Sequence, residues 1–298
     1  MANSKKLLAG TTGAIVAAAS LPARADWSLL NMPVGVSELS REIYGMHMLI
    51  LWICVVIAIF TFGAMIYAMV KFRKSKGAVA DMSMLHNTKL EIAWTIVPVF
   101  ILVGMAIPSV DKLIKIEDTT GSELTIKVTG YQWFWEYEYL GTGVSFYSRL
   151  DEASNEARQL DSGLDPEAVD HYLRNVDNPM VVPTGTKIRL LLTANDVNHA
   201  WWVPDFGMKR DAIPGFINEM WISVDADKPG TYRGQCAELC GRDHGFMPIV
   251  VVAKPRAEFD AWLAGEQAKA QQASTGAATT VRVETTDGGE SVRLAKAE

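Results

Sequence analysis

Two cysteines, one histidine and one methionine fall within a single short segment, and a further histidine lies upstream. The segment is Cys236-Ala-Glu-Leu-Cys240-Gly-Arg-Asp-His244-Gly-Phe-Met247, and the upstream residue is His199. Thiolates and thioethers are soft ligands for copper(I) and zinc, imidazole suits both metals, and a weak axial methionine is typical of copper. A mononuclear blue-copper site needs one cysteine, whereas two thiolates can bridge a second copper ion. The residue types therefore indicate a redox copper centre.

Two other interpretations of this segment stay open on residue types alone. Two cysteines in an exported protein most often form a disulfide, and Cys-x3-Cys could close a small loop. A zinc site could use two cysteines and two histidines, although the usual zinc spacing, with two closely spaced histidines after the cysteines, is absent. Neither alternative gives a role to Met247 or to His199.

The N-terminus has the pattern of a secretory signal peptide. Lys5-Lys6 supply the positive start, an apolar stretch follows, and Ala23-Arg24-Ala25 is a small-x-small cleavage site. We therefore expect residues 1–25 to be a signal peptide and residues 26–44 to be an exported segment.

Two apolar runs predict a transmembrane hairpin over residues 45–110. Met46–Val70 carries no charge, Leu90–Val110 carries only Glu91, and each run is long enough to cross a membrane. The loop between them, residues 71–89, holds five lysines and arginines against one aspartate. Because positive loops stay inside, this loop is predicted to be cytoplasmic. The N-terminus and the C-terminal domain then lie on the periplasmic side of a bacterial inner membrane.

From about Ser122 the pattern becomes the two-residue alternation of β-strands. Leu124–Thr129 alternates, and the aromatic run after it is expected to form one strand whose shared face carries Tyr131, Trp133, Trp135, Tyr137 and Tyr139. Later strand candidates are Lys187–Thr193, Glu219–Val224, Gly230–Arg233 and Pro248–Val252. Short strands separated by turn residues predict a sandwich or small barrel over residues 111–255.

Two polar regions accompany this β domain. Ser154–Tyr172 is expected to be a helical or loop excursion on its surface. Arg256–Gln271 predicts a short helix whose apolar stripe is Phe259, Trp262 and Leu263. The remainder of residues 256–298 has too little apolar content for a core and is expected to be a disordered tail.

The charge balance of the β domain favours a basic partner. Residues 111–254 contain 22 acidic and 14 basic residues, a net charge of −8. Such a surface argues against nucleic-acid binding and can steer a basic protein toward it, although acidic surfaces also serve ordinary solubility.

With these elements assembled, the chain closely resembles subunit II of aa3-type cytochrome c oxidases. The matching stretches are Leu90-Glu-Ile-Ala-Trp-Thr-Ile-Val-Pro, Tyr131-Gln-Trp-Phe-Trp-Glu-Tyr-Glu-Tyr, Val197-Asn-His-Ala-Trp, Asp211-Ala-Ile-Pro-Gly, Gly234-Gln-Cys-Ala-Glu-Leu-Cys-Gly and Met247-Pro-Ile-Val. The resemblance covers the chain from the first membrane helix to about Val252. It implies a membrane-anchored all-β protein: a two-helix hairpin followed by a cupredoxin-like Greek-key barrel or sandwich.

The resemblance also implies a ligand set for the dinuclear copper centre called CuA. Cys236 and Cys240 would bridge two copper ions. His199 and Met247 would complete one copper, and His244 with the backbone carbonyl of Glu238 would complete the other. The Glu238 carboxylate would bind a magnesium ion shared with subunit I, as a hard oxygen ligand for a hard cation. A solvated loop acid is the alternative for that carboxylate.

The same resemblance assigns an electron-accepting residue, docking acids and a proton-pathway residue. Trp133 would receive electrons from cytochrome c, and the matching acidic docking positions are Glu138, Asp177 and Asp196. Tyr147 and Asn195 stand where some relatives carry acids, so docking is expected to be weaker or shifted. Glu91 would lie at the mouth of the proton pathway into subunit I, since ionisable groups at membrane depth often mark ion paths. A first-turn acid favoured by the helix dipole is the alternative for Glu91.

The implied function is electron transfer from cytochrome c through CuA to haem a in subunit I, where oxygen reduction is coupled to proton pumping. Subunit I and subunit III are the expected membrane partners. A quinol oxidase subunit would lack the copper ligands, and a nitrous oxide reductase would need a large extra catalytic domain. A membrane-tethered copper-delivery protein remains a rival, but it would not require the tryptophan-rich strand or Glu91.

Overall fold

The computed structural model describes residues 30–79 and 86–279, with side chains up to residue 272. The expected signal peptide lies outside the described residues, as do the centre of the loop expected to be cytoplasmic and the end of the tail. The chain divides into two compact units, Met1–Lys112 and Leu113–Glu298.

The first unit contains two long apolar helices. Helix α1 spans Glu38–Lys71 and helix α2 spans Thr88–Glu117, with mean hydropathies of 2.8 and 2.2 over their most apolar windows. Neither window is buried within the structure. A helix that is apolar on all sides and unburied requires a lipid surrounding, so both helices are of the membrane-spanning kind.

The sequence sets where helix α1 begins. Ser37 is its N-cap, and its hydroxyl accepts a hydrogen bond from the Ser40 amide at 3.1 Å. The Ser40 hydroxyl in turn accepts from the Ser37 amide at 2.9 Å, which completes a capping box. Glu38 in the first turn and Lys71 in the last turn both complement the helix dipole.

In the described part of the second unit, ten strands form two five-stranded sheets. The strands are β1 Leu124–Tyr131, β2 Phe134–Tyr139, β3 Val144–Ser148, β4 Met180–Pro183, β5 Ile188–Ala194, β6 His199–Trp202, β7 Lys209–Ala212, β8 Asn218–Ile222, β9 Gly230–Cys236 and β10 Pro248–Lys254. One sheet has the order β3-β2-β1-β5-β8 and the other β4-β10-β9-β6-β7. Two sheets of this size make a β-sandwich, as the sequence predicts.

The core lies between the inner faces of the two sheets. In β5 every second residue is fully or nearly fully buried, including Ile188, Leu190 and Leu192. Trp135 and Trp201 are the largest side chains with no solvent exposure. Truncating a buried residue of this kind to alanine costs about 2–5 kcal/mol, so these side chains make a stable platform for the loops at its edge.

The expectation of one continuous aromatic strand is wrong. Strand β1 ends at Tyr131, Gln132 and Trp133 form a turn, and β2 runs back antiparallel, with Tyr131 opposite Phe134. The turn removes Trp133 from the buried row, so its side chain is only partly buried. The four short strands β3, β4, β6 and β7 also lack a counterpart in the sequence-based set, because runs of four or five residues carry little periodic signal.

Two helices flank the sandwich. Helix α3, Glu152–Ala157, lies in the polar excursion between β3 and β4. Helix α4, Arg256–Thr279, begins where expected but continues past Gln271, so the segment expected to be disordered is helical up to Thr279. The ring centres of Trp262 in α4 and Tyr139 in β2 lie 5.4 Å apart, so the helix packs against the sandwich through this aromatic contact.

Candidate metal centre

Three strands of one sheet carry the residues of the candidate site to one end of the sandwich. His199 is the first residue of β6, Cys236 is the last of β9, and Met247 directly precedes β10. Strands β9 and β10 pair antiparallel up to Gln235 opposite Pro248, so their connecting loop begins and ends at neighbouring positions. The Cys236 amide donates to the Met247 carbonyl at 3.4 Å and closes this loop.

The two thiols and the two imidazoles converge at the base of the loop. The sulfurs of Cys236 and Cys240 lie 3.9 Å apart. His199 Nδ1 lies 3.9 Å from the sulfur of Cys236, and His244 Nδ1 lies 3.5 Å from the sulfur of Cys240. Each cysteine therefore has its own histidine, and both histidines turn the same ring nitrogen toward the sulfur pair.

A thioether and a backbone carbonyl complete the set. The sulfur of Met247 lies 3.5 Å from that of Cys240, and the Glu238 carbonyl oxygen lies 3.4 Å from the sulfur of Cys236. His199, Cys236, Cys240 and Met247 are all buried. Five soft or borderline donors, two thiols, one thioether and two imidazoles, thus meet one backbone carbonyl in a largely buried pocket, which is a donor set that suits copper.

The arrangement does not fit a disulfide. A disulfide requires sulfurs about 2.05 Å apart, whereas these two lie 3.9 Å apart and both cysteines are free. Within the described residues, the ligand atoms of His199, Cys236 and Cys240 form the one group that lies close enough together to hold a metal ion, with all separations within 4.8 Å.

The two thiols differ strongly in protonation. Burial raises the pKa of Cys236, but hydrogen bonds from His199 and from backbone groups outweigh burial and hold it below the usual thiol value. Burial raises the pKa of Cys240 to about 12, and the neighbouring Cys236 adds to the rise. One thiolate therefore forms readily, while the second forms only when a cation compensates its charge, so metal binding must release a proton.

Asp196 fixes the orientation of His199, a role that the sequence analysis missed. Its Oδ1 lies 2.9 Å from Nε2 of His199, which leaves Nδ1 facing the cysteine sulfur. The same carboxylate accepts from the Val197 amide at 2.7 Å and from the Gln132 amide at 2.7 Å. Burial raises the pKa of Asp196, but these hydrogen bonds lower it overall and keep the carboxylate charged. The Asp-x-x-His spacing in the sequence is the pattern from which this contact could be predicted.

The turn between β1 and β2 contacts the site through the Cys240 carbonyl oxygen. Trp133 Nε1 donates to this oxygen at 3.1 Å, and the Gln132 side-chain amide donates to it at 2.8 Å. Gly241, the next residue, has φ of 115°, and a Cβ there would lie 3.0 Å from the Gln132 amide nitrogen. Only glycine at position 241 lets the backbone come this close to the Gln132 side chain. No pattern in the sequence singles out Gln132 as a donor to the Cys240 carbonyl.

Gly130 provides the space for His199. A Cβ at Gly130 would lie 2.8 Å from the imidazole ring, which is closer than real contacts allow. On its other side the His199 ring meets Trp135 at 5.8 Å between ring centres. The histidine is thus enclosed by β1, β2 and Asp196.

Family models match both parts of the chain. The model described as cytochrome C oxidase subunit II, transmembrane domain, matches residues 25–111, and the model described as cytochrome C oxidase subunit II, periplasmic domain, matches residues 124–254. The chain belongs to the cytochrome c oxidase subunit II family. The two helices and the β-sandwich are therefore the membrane anchor and the cupredoxin-like domain of a subunit II.

Individual relatives agree with the family models. A probable cytochrome c oxidase subunit 2 of Rickettsia bellii is 38% identical over 231 residues, which is 77% of this chain and 81% of the relative. Cytochrome c oxidase subunit 2 of Cereibacter sphaeroides is 34% identical over 278 residues, or 87% and 89% of the two chains. The solved periplasmic domain of subunit II of cytochrome oxidase from Bradyrhizobium japonicum is 39% identical, covers 51% of this chain and 99% of that chain, and has a TM-score of 0.44. Subunit II is part of an oxidoreductase complex, so this chain works with other oxidase subunits.

The other predicted site residues of this subunit II lie outside the metal pocket. Glu138 lies 3.2 Å from the ammonium group of Lys127 on the neighbouring strand. Asp177 accepts hydrogen bonds from the amides of Arg149 and Asn178, each at 2.7 Å. The side chain of Glu238 points into solvent, since that residue is exposed.

Glu91 lies in the first turn of helix α2. His86 Nδ1 lies 3.9 Å from its carboxylate, and the Asn87 side chain accepts from the Leu90 amide at 3.1 Å. The position satisfies the helix dipole and also leaves the carboxylate half-exposed, so the geometry is compatible with both roles considered for Glu91.

Proposed function

We propose that the six donors form a CuA centre and that this subunit II takes single electrons from cytochrome c and passes them to haem a in subunit I. Cys236 and Cys240 would bridge two copper ions, with His199 and Met247 on one and His244 and the Glu238 carbonyl on the other. When bound, such a pair shares one unpaired electron and changes its geometry little on reduction, which favours fast electron transfer.

The spacing of the two cysteine sulfurs is the observation that carries this proposal. Metal–thiolate bonds are about 2.3 Å long, so sulfurs 3.9 Å apart can both bind the same metal ion. Each sulfur also has its own imidazole nitrogen within 3.9 Å, that of His199 for Cys236 and that of His244 for Cys240. A single tetrahedral zinc site would leave Met247 and the Glu238 carbonyl without a function.

The protein prepares the site before any metal arrives. Asp196 holds His199 in one orientation, and a second hydrogen-bonding shell of this kind typically accounts for a 10- to 100-fold difference in metal affinity. Burial excludes water from the sulfurs and the histidine. The chain thus contributes rigidity and a low-dielectric surrounding, both of which reduce the reorganisation that accompanies each electron transfer.

Trp133 supports the assignment of the electron-accepting face. Its ring is partly exposed, and its indole N–H donates directly to the carbonyl of Cys240. A donor protein that contacts the ring is therefore separated from a candidate copper ligand by one hydrogen bond. Cytochrome c is the donor that we propose.

The remaining roles extend to the other subunits. Subunit I would hold haem a and the site of oxygen reduction, and subunit III would be a further neighbour. The exposed Glu238 carboxylate would bind a magnesium ion shared with subunit I, because carboxylate oxygens suit hard cations. Glu91 would collect protons at the cytoplasmic end of helix α2. The β domain would lie on the periplasmic side of a bacterial inner membrane, because the loop between the helices is positively charged.

Rapid mixing of the assembled oxidase with reduced cytochrome c tests the proposal. We expect the CuA absorption to bleach before haem a is reduced, with both phases lost in a Cys240→Ser variant. Reduction of haem a at the normal rate in that variant would contradict the proposal.

Glu91→Ala is expected to slow steady turnover while leaving the CuA phase unchanged, and a slower CuA phase would refute its role in proton delivery.

A further inference from the structure

Arginines border the exposed edge of Trp133, and we refer to Arg149, Arg158 and Arg242 as the arginine rim. Arg149 and Arg158 line a cleft of about 210 Å³ together with Trp133 and Asp243. The guanidinium carbon of Arg242 lies 5.3 Å from the centre of the Trp133 ring. The proposed electron-accepting residue is therefore surrounded by guanidinium groups, although the domain as a whole is acidic.

Two aromatic rings hold Arg149 in place, and among the described residues it has no anionic partner. Its guanidinium carbon lies 4.5 Å from the centre of the Phe134 ring and 5.0 Å from that of Tyr147. The centres of these two rings lie 5.3 Å apart in an edge-to-face arrangement, so the rings hold the guanidinium in one position. In the part of the chain that the structure describes, no carboxylate lies within the 4.0 Å of an ion pair with Arg149. A planar group with five N–H donors is thus oriented by the two rings and exposed to solvent.

The other two arginines share a single carboxylate. Arg158 lies 3.7 Å and Arg242 lies 3.3 Å from oxygens of Asp243. Arg158 also donates to the Asn155 side chain at 2.8 Å, and its guanidinium carbon lies 4.4 Å from the centre of the Phe246 ring. Internal contacts thus fix Arg158, while Arg242 remains mostly exposed at the mouth of the cleft.

Asp177 and Asp196, two of the predicted docking acids, already have other hydrogen-bond partners. Asp177 accepts from two backbone amides, one of them that of Arg149 itself. Asp196 accepts from the Gln132 and Val197 amides and contacts His199. Both of these carboxylates serve the fold or the metal pocket, whereas the guanidinium of Arg149 is exposed to solvent and can bind an anion.

We propose that the arginine rim receives a carboxylate of the electron-donating protein, with Arg149 as the principal contact. This inference rests on the proposed function. The donor would expose an acidic side chain beside its own redox centre, and the guanidinium fork of Arg149 would bind it in a bidentate manner. Tryptophan, tyrosine and arginine are the residues that dominate binding energy at protein interfaces, and this surface combines all three. The acidic remainder of the domain acts at longer range on other parts of the donor.

Two small reductants of opposite charge test the proposal on the assembled oxidase that contains this chain. Iron(II)–EDTA is an anion that carries carboxylates, and hexaammineruthenium(II) is a cation. At low salt, Arg149→Gln is expected to slow CuA reduction by iron(II)–EDTA about three- to tenfold, because a charged cleft concentrates ligands of the opposite charge. The same variant is expected to accelerate reduction by hexaammineruthenium(II). Both effects should vanish near 1 M salt, where the Debye length is about 3 Å.

Matched variants separate the proposed contact from a general change of charge. Arg256→Gln removes an arginine at the first residue of helix α4, beside Glu123 and Asp260, and is expected to change neither rate. Arg149→Lys keeps the charge and is expected to retain the preference for iron(II)–EDTA.

Two results would overturn the proposal. Arg149→Gln could alter both rates equally, or it could leave both rates unchanged, as expected for Arg256→Gln, while the CuA spectrum stays intact. In each case the rim assignment fails and the proposed function stands. If the parent oxidase has no CuA spectrum, or neither reagent reduces it, the proposed function and the inference fail together.

Discussion

The metal loop, residues 236–247, and the aromatic turn, residues 131–135, meet at the carbonyl oxygen of Cys240 but differ in construction. The metal loop buries its cysteines and its methionine and joins two paired strands of one sheet. The aromatic turn belongs to the other sheet and presents a partly exposed Trp133 above the loop. The loop therefore sets which metal can bind, while the turn sets what can approach it.

This difference means that the two regions respond differently to substitution. Every side-chain donor in the metal loop is a specific chemical group, so exchanging one changes the ligand set of the centre. The aromatic turn acts through contact and position, so exchanging Trp133 is expected to leave the centre intact. Variants that change one property without the other test the division directly.

The largest effect is expected from the cysteines. Replacing Cys236 or Cys240 with serine should abolish the two-copper centre and reduce cytochrome c oxidation to background, because a hydroxyl is too hard a ligand to replace a bridging thiolate. Copper content per chain and oxygen uptake measure the loss. Cys54→Ser, an exposed cysteine of helix α1, is the matched control and should change neither quantity. Two coppers in the Cys236→Ser protein would contradict the assignment of Cys236 as a bridging ligand.

Trp133→Gln is expected to have the next largest effect, on electron acceptance alone. Loss of a central interface contact costs at least about 2 kcal/mol, or roughly thirtyfold in the rate constant for the reaction with cytochrome c. The copper spectrum should stay unchanged. Trp133→Phe keeps an aromatic ring for docking but loses the hydrogen bond to the Cys240 carbonyl. It therefore tests separately whether electron transfer depends on that hydrogen bond. Normal turnover of Trp133→Gln would move the electron-accepting point elsewhere on the domain.

Asp196 and Asp177 sharpen the comparison, since the resemblance assigns both to docking. Asp196→Asn is expected to lower copper affinity about 10- to 100-fold, because the carboxylate orients His199. Asp177→Asn should leave copper affinity unchanged, since its contacts are with backbone amides of another segment. Competition with a copper chelator measures both. Equal copper affinities in the two variants would show that Asp196 does not support the metal site and would leave docking as its only proposed role.

Met247→Leu should give the smallest change in composition. The thioether is a weak axial ligand, so two coppers should remain while the reduction potential shifts and electron transfer slows. Potentiometric titration of the CuA absorption measures the shift. A variant with parental potential and kinetics would remove Met247 from the ligand set.

The residue types of the metal loop indicated a copper centre but left a disulfide and a zinc site open, and only the family resemblance assigned the individual donors. Cysteine, histidine and methionine at these spacings restrict the metal before any fold is known, and the structure brings the same side chains together. The periodic strand β5 and the two apolar helices were equally accessible, since long regular patterns determine burial.

The aromatic turn could not be predicted in the same way. Alternation through Tyr131, Trp133 and Trp135 is equally typical of one strand or of two strands joined by a short turn, and only the pairing of β1 with β2 decides. Asp196 and Gln132 serve the site through contacts with residues distant in sequence, which no local pattern encodes. That Arg149 has no ion-pair partner among the described residues likewise emerges only when the surrounding carboxylates are located.

Copper stoichiometry combined with electron paramagnetic resonance on the assembled oxidase tests the central claim most directly. The account predicts two coppers bound to this chain and one unpaired electron shared equally between two copper nuclei. One copper with an unshared spin, or a metal-free chain with Cys236 and Cys240 joined as a disulfide, would contradict it.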